Sequence, residues 1–112
     1  MGILDSDESA VKNHMMYKNM VESMKNLENE LQSFKSKGGT SSVVSPLAQA
    51  CKRAFRDCDK GEKQFPNLKD WAEQRKTALE IARALVEKFK DHPALESTDL
   101  VKAAADPNFR YQ

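Results

Sequence analysis

The chain has 112 residues, 39% of them hydrophobic and 31% charged, with a formal net charge of +1. That length points to one domain with a modest core, so stabilisation by partners is expected. The near balance of charge excludes the strong positive excess of a nucleic-acid-binding surface, and no run of 18 apolar residues is present to cross a membrane.

Residues 1–8 lack a basic stretch followed by an apolar one, so no secretory leader is expected. Gly2 and Ser6 fit the short Met-Gly-x-x-x-Ser pattern for N-myristoylation. Asp5, Asp7 and Glu8 surround it, and acids oppose the basic second signal that one acyl chain needs. Residues 1–6 read as a cap segment, with Asp5 and Glu8 in capping-box spacing.

The first helix is expected over about 7–37, closed by Gly38 as C-cap. Tyr17, Met20, Met24, Leu27, Leu31 and Phe34 alternate spacings of three and four, which is an a/d seam of the coiled-coil type. His14 falls beside this seam, where a partly buried flank is the ordinary reading. The methionines at 15, 16, 20 and 24 suit either core filling or an adaptable binding surface.

The second helix is expected over about 46–60, with Ser45 as N-cap, Pro46 at the first helical position and Gly61 as its end. Leu47, Cys51, Ala54, Phe55 and Cys58 share its inner face. Seven residues separate the cysteines, about 10 Å along a helix, too far for a mutual disulfide. They read as two small buried hydrophobes, or as thiols that bridge to a partner chain. Free thiols of this kind point to an intracellular, reducing compartment, cytoplasmic or mitochondrial. Lys52, Arg53, Arg56, Lys60 and Lys63 form a small basic patch, read as a solvated face before a docking site for acidic protein or lipid head groups.

The third helix is expected over about 67–91, capped by Asn67 and stopped by Pro93. Leu68, Trp71, Arg75, Ala78, Ala82, Leu85 and Phe89 form its seam. Arg75 there needs a carboxylate, a carbonyl or the Tyr17 ring face. A short fourth helix is expected over about 98–105, capped by Ser97 or Thr98. Residues 106–112 read as an extended tail, because Pro107 stops a helix from running on.

The fold expected is all-α: one helical domain over 7–105, with three main helices in an up-down-up bundle or extended hairpin. Placing Tyr17 level with Arg75 pairs Met20 with Ala78, Met24 with Ala82, Leu27 with Leu85 and Leu31 with Phe89. Large residues then oppose small ones. The second helix, as read, is too short to cover the first, and a partner is expected on the uncovered end.

No nucleophile–base pair, phosphate-cradling loop or metal-ligand spacing is visible. No catalytic residue, cofactor or metal is therefore expected, and the chain reads as non-enzymatic. The leading expectation is an interaction or structural subunit of a larger assembly, for example an accessory subunit of a mitochondrial membrane complex. Its partners would be other protein subunits, with no nucleic acid and no membrane span; peripheral membrane contact through a partner complex stays open. A free-standing adaptor that binds a partner's amphipathic helix is the alternative. An auxiliary subunit completing an enzyme's active site comes third. Partner contact is expected along Tyr17, Met20, Met24, Leu27, Leu31 and Phe34, and at Phe109, Arg110 and Tyr111, residue types that anchor interfaces.

Overall fold

The computed structural model describes residues 8–112, and all of its regular structure there is helical. The capping box at Asp5 and the lipidation pattern at Gly2 lie outside the described residues. A helical turn, α1, covers 8–12. It is followed by α2 (Met15–Ser36), a 3-10 turn (Ser41–Val43), α3 (Val44–Gln64), α4 (Asp70–Lys88), α5 (Pro93–Ser97) and α6 (Leu100–Ala105).

The three long helices run up, down and up, with α3 as the shared partner of α2 and α4. The parallel pair α2 and α4 meets chiefly at its two ends, where Tyr17 meets Trp71 with ring centroids 5.7 Å apart and Phe34 meets Phe89 at 6.1 Å. Tyr17 is therefore level with Trp71, one helical turn from the expected Arg75. Ala78 and Ala82 are fully buried, and Ala78 backs onto α3, where its carbonyl accepts the Cys51 thiol at 3.3 Å. The molecule measures 50 × 28 × 17 Å, flattened as an inserted central helix requires.

The expected first helix is two pieces. Asn13 and His14 interrupt it, and His14 has extended backbone (ψ 148°) and caps α2, its side chain accepting from the Met16 N–H. At the other end Gly38 (φ 94°) and Gly39 (φ 60°) take left-handed backbone. Gly39 N–H donates to Phe34 O and Gly38 N–H to Lys35 O, the paired bonds of a Schellman stop.

The second helix is the largest departure. Helix α3 has 21 residues against 22 in α2, so the first helix is not left uncovered for want of length. The chain stays helical through Gly61, because that glycine serves packing instead of termination. A Cβ there would sit 2.3 Å from the Trp71 ring. At the other end the 3-10 turn feeds into α3 at Val44. Ser45 is thus inside the helix, not its cap, and Pro46 is still in the first turn, where its missing N–H leaves nothing unpaired.

Helix α4 begins at Asp70 with Lys69 before it and no side-chain cap, so Asn67 is not the cap. Its end is Lys88, earlier than expected. Pro93 opens a helix as well as ending a segment: His92 caps α5, its Nδ1 accepting from Ala94 N–H at 3.0 Å. The expected helix over 98–105 starts later, at Leu100, because Asp99 takes left-handed backbone with φ 59°, and α5 before it was not expected. Neither Ser97 nor Thr98 caps α6; the Thr98 hydroxyl donates back to Ala94 O at 2.6 Å.

One buried cluster joins α2, α3 and α4 with Leu95, Leu100, Ala103 and Tyr111, and a smaller one gathers Met20, Cys58 and Trp71. Phe55 and Trp71 are at most 1% exposed, and burying an aromatic of this size contributes about 1.5–3 kcal/mol.

Candidate protein-interaction groove

Packing at Gly61 fixes one end of the molecule. The Trp71 ring lies against Gly61, and its indole N–H donates to Phe65 O at 3.0 Å. That bond holds the α3–α4 loop in place. Tyr17 crosses from α2 and donates its hydroxyl to Asp70 Oδ2 at 2.6 Å. The hydrogen bond to Asp70, then burial, pushes the Tyr17 phenol up to about 12. His14, on the other side, sets its ring edge against Phe65 with centroids 5.1 Å apart.

These elements leave an open groove of about 770 Å³ between α1 and the loop that joins α3 to α4. Val11, Phe65 and Leu68 supply apolar wall, while Glu8, Asp70 and Glu73 supply acid against a single Lys69. Val11, Phe65 and Leu68 are each partly exposed, and Glu8 and Glu73 are exposed. Among the described residues no group of three or more His, Cys, Asp or Glu side chains is placed to hold a metal ion. What the groove offers is a shaped apolar surface with an acidic rim, which suits recognition of an apolar, basic segment.

The expected partner seam lies elsewhere. Met20 and Leu27 are 1% exposed. Tyr17, Met24, Leu31 and Phe34 are partly buried against the same clusters. The seam is thus spent inside the chain. The tail is extended, as expected, but it returns to its own bundle. Tyr111 N–H donates to Asp59 Oδ2 at 2.9 Å and its hydroxyl to Thr98 O at 2.6 Å. Phe109 packs edge-on against Tyr111, and Arg110 reaches Glu62 at 3.1 Å. Of the three tail residues only Arg110 keeps an exposed side chain.

Arg75 finds two of its expected partners and one substitute. Its Nε donates to Asp59 Oδ1 at 2.6 Å, and its Nη2 donates to Phe109 O at 2.7 Å. The ring below its guanidinium is Phe55, 4.9 Å away, and not Tyr17. Burial pushes the Asp59 carboxyl up, and the Tyr111 N–H and Arg75 pull it back. Cys51 and Cys58 are unpaired and buried, and burial pushes both thiols up to about 12.

Sequence reasoning missed the groove because, of its three apolar wall residues, only Leu68 belongs to a heptad stripe. Two signals were available. Asn13-His14 interrupts an otherwise helical run with poor helix formers. Phe65 and Leu68 also flank Pro66 in a loop too short to hide both. Of the basic patch, Lys60 and Lys63 are exposed, while Lys52, Arg53 and Arg56 line a second concavity between α2 and α3.

Compared with protein-family models, with curated proteins and with solved structures, the chain matches none.

Proposed function

We propose that this chain is a non-enzymatic protein-interaction subunit whose groove seats a basic, amphipathic helix of a partner. The observation that carries the reading is the acid-rimmed apolar groove bounded by Val11, Phe65 and Leu68. An amphipathic helix supplies an apolar stripe for such a wall and flanking cations for Glu8, Asp70 and Glu73. The two unpaired buried cysteines support a reducing compartment.

Both the fixed-subunit form, of which a mitochondrial accessory subunit is one example, and the free-adaptor form use the same groove. The size of the endogenous protein under native conditions separates them. A fixed subunit runs wholly in a large complex, and an adaptor divides between complex and free chain. Reversing the rim with Glu8→Lys and Glu73→Lys leaves the core untouched. It is expected to shift the endogenous-level protein to the size of the free chain, with thermal stability unchanged. A native protein found only as the free chain, or a complex that survives the rim reversal, overturns the proposal.

A further inference from the structure

A second concavity, of about 470 Å³, lies between α2 and the first half of α3 and shares no lining residue with the groove. Gln49, Lys52, Arg53 and Arg56 recur at spacings of three and four along α3 and so fall along one stripe of that helix. Asn26 and Glu30, four apart on α2, face them across the gap. Three cations and one carboxylate therefore look into one hollow. None of the three cations forms an ion pair with a described residue. Asp57, next in sequence to Arg56, is committed elsewhere, accepting the Ser23 hydroxyl.

Arg56 adds an independent sign. Its Nε is buried and has no hydrogen-bond partner. Buried polar groups are paired in the great majority of cases, and leaving a charged donor unmatched costs more than leaving a neutral one. A guanidinium held this way, beside a second guanidinium and an ammonium, matches a multiply charged oxyanion. A phosphoryl group fits better than a carboxylate, because its charge answers several cations at once and its oxygens accept from both arginine forks.

We propose that the concavity between α2 and α3 is a phosphoryl-binding site formed by Lys52, Arg53 and Arg56. Asn26 and Gln49 supply neutral donors at its edge. Glu30 limits affinity, since its carboxylate opposes the anion. The phosphoryl group comes either from a small soluble phosphate ester or from a lipid head group, and the two sources are separable by experiment. This site is independent of the acid-rimmed groove, so either reading stands if the other fails.

The test uses the full chain with two probes. In one arm, pyrophosphate is titrated at low salt while the arginine Nε–H and backbone signals are followed by NMR. In the other, sedimentation is measured with phosphatidylcholine vesicles carrying phosphatidic acid. A soluble source gives saturable shifts at Arg56 Nε–H, Arg53 and Gln49; a lipid source gives vesicle binding stronger than pyrophosphate binding. In either case Arg56→Gln and, separately, the exposed-site change Arg53→Gln are expected to weaken binding about tenfold each. Glu30→Gln is expected to tighten it, a direction that loss of structure does not produce. Absence of binding in both arms, or binding indifferent to both arginine substitutions, overturns the site.

Discussion

Tyr111 in the C-terminal segment is 8% exposed, whereas Glu8, Ser9 and Ala10 at the other end of the described chain are all exposed. Both segments are short, and neither has a stripe long enough to hold itself down. The tail is held by polar groups with buried partners: the Tyr111 N–H and hydroxyl, and the Phe109 carbonyl, each bond to an interior group. Helix α1 has mostly local bonds, Asn13 Nδ2 to Ser9 O at 3.1 Å and Lys12 to Glu8 at 3.3 Å, plus the partly buried Val11. Local bonds in water are weak, while a buried donor–acceptor set is costly to break. The less committed segment is the one that lines the groove, which is where a partner can bind without first displacing a core residue.

Breaking the tail's polar set should give the largest effect. Arg75→Met keeps a long apolar stem but leaves Asp59 and the Phe109 carbonyl without their main partner. Removing one side of a buried pair typically costs about 3–5 kcal/mol. Urea unfolding should register a loss of that order. Amide hydrogen exchange should speed up at residues 109–111 before it changes in α1. A loss under about 1 kcal/mol would mean that aromatic packing alone holds the tail, and the contrast between the two ends would then be one of burial and not of paired charge.

Much of this arrangement was legible in the sequence, and the misreadings have physical causes. The seam from Tyr17 to Phe34 marks the inner face of α2 because spacings of three and four leave only one stripe to bury. Arg75 was identifiable as a seam cation in need of a carboxylate and a carbonyl. Gly61 was misread because one residue type serves two purposes. As a C-cap it supplies left-handed backbone; here it stays helical and makes room for Trp71. That error shortened α3, and together with the missed break at Asn13-His14, which lengthened the first helix, it made a partner seem necessary to cover α2. The register of α2 against α4 slipped by one turn, since an a/d pattern repeats every three or four residues and fits neighbouring registers about equally. The direction of the tail was not legible at all. Pro107 ends the helix, but the acceptor for the Tyr111 N–H, Asp59, is 52 residues away.

Alkaline pH should test the locked side of the molecule with an intermediate effect. Burial pushes the Cys51 and Cys58 thiols from 9.0 up to about 12 and pushes the Tyr111 phenol up as well. The folded chain therefore holds these protons where the unfolded chain releases them. The stabilisation is complete below the unfolded thiol value of 9.0 and is lost as pH rises toward about 12. One pH unit above the unfolded value the loss is about 1.4 kcal/mol per thiol. Urea midpoints should therefore fall between neutral and alkaline pH, and the slope should flatten in Cys51→Ala and in Cys58→Ala. The readout is that slope and not the absolute stability, which the smaller side chain lowers on its own. A slope that both substitutions leave intact would mean that the thiols reach solvent in the folded state.

The smallest effect belongs to the open end, and its size is itself informative. His14 has two separable duties there. Its Nδ1 accepts from Met16 N–H at 3.1 Å, and its ring walls the groove against Phe65. His14→Ala removes both, and loss of an N-cap costs about 0.5–2 kcal/mol, with an exposed helix end at the lower limit. His14→Asn keeps a strong cap but removes the ring. If α1 and the start of α2 are loosely tied, the alanine variant should raise hydrogen exchange at Met16 and Tyr17 with little change in the global unfolding midpoint. The asparagine variant should restore that protection. Both should weaken docking of a basic amphipathic helix, because both lose the wall beside Phe65. Docking rescued by His14→Asn would assign the groove to the capped helix end alone. A global loss as large as that of Arg75→Met would show that α1 is as firmly committed as the tail, and the distinction between the two ends would fail.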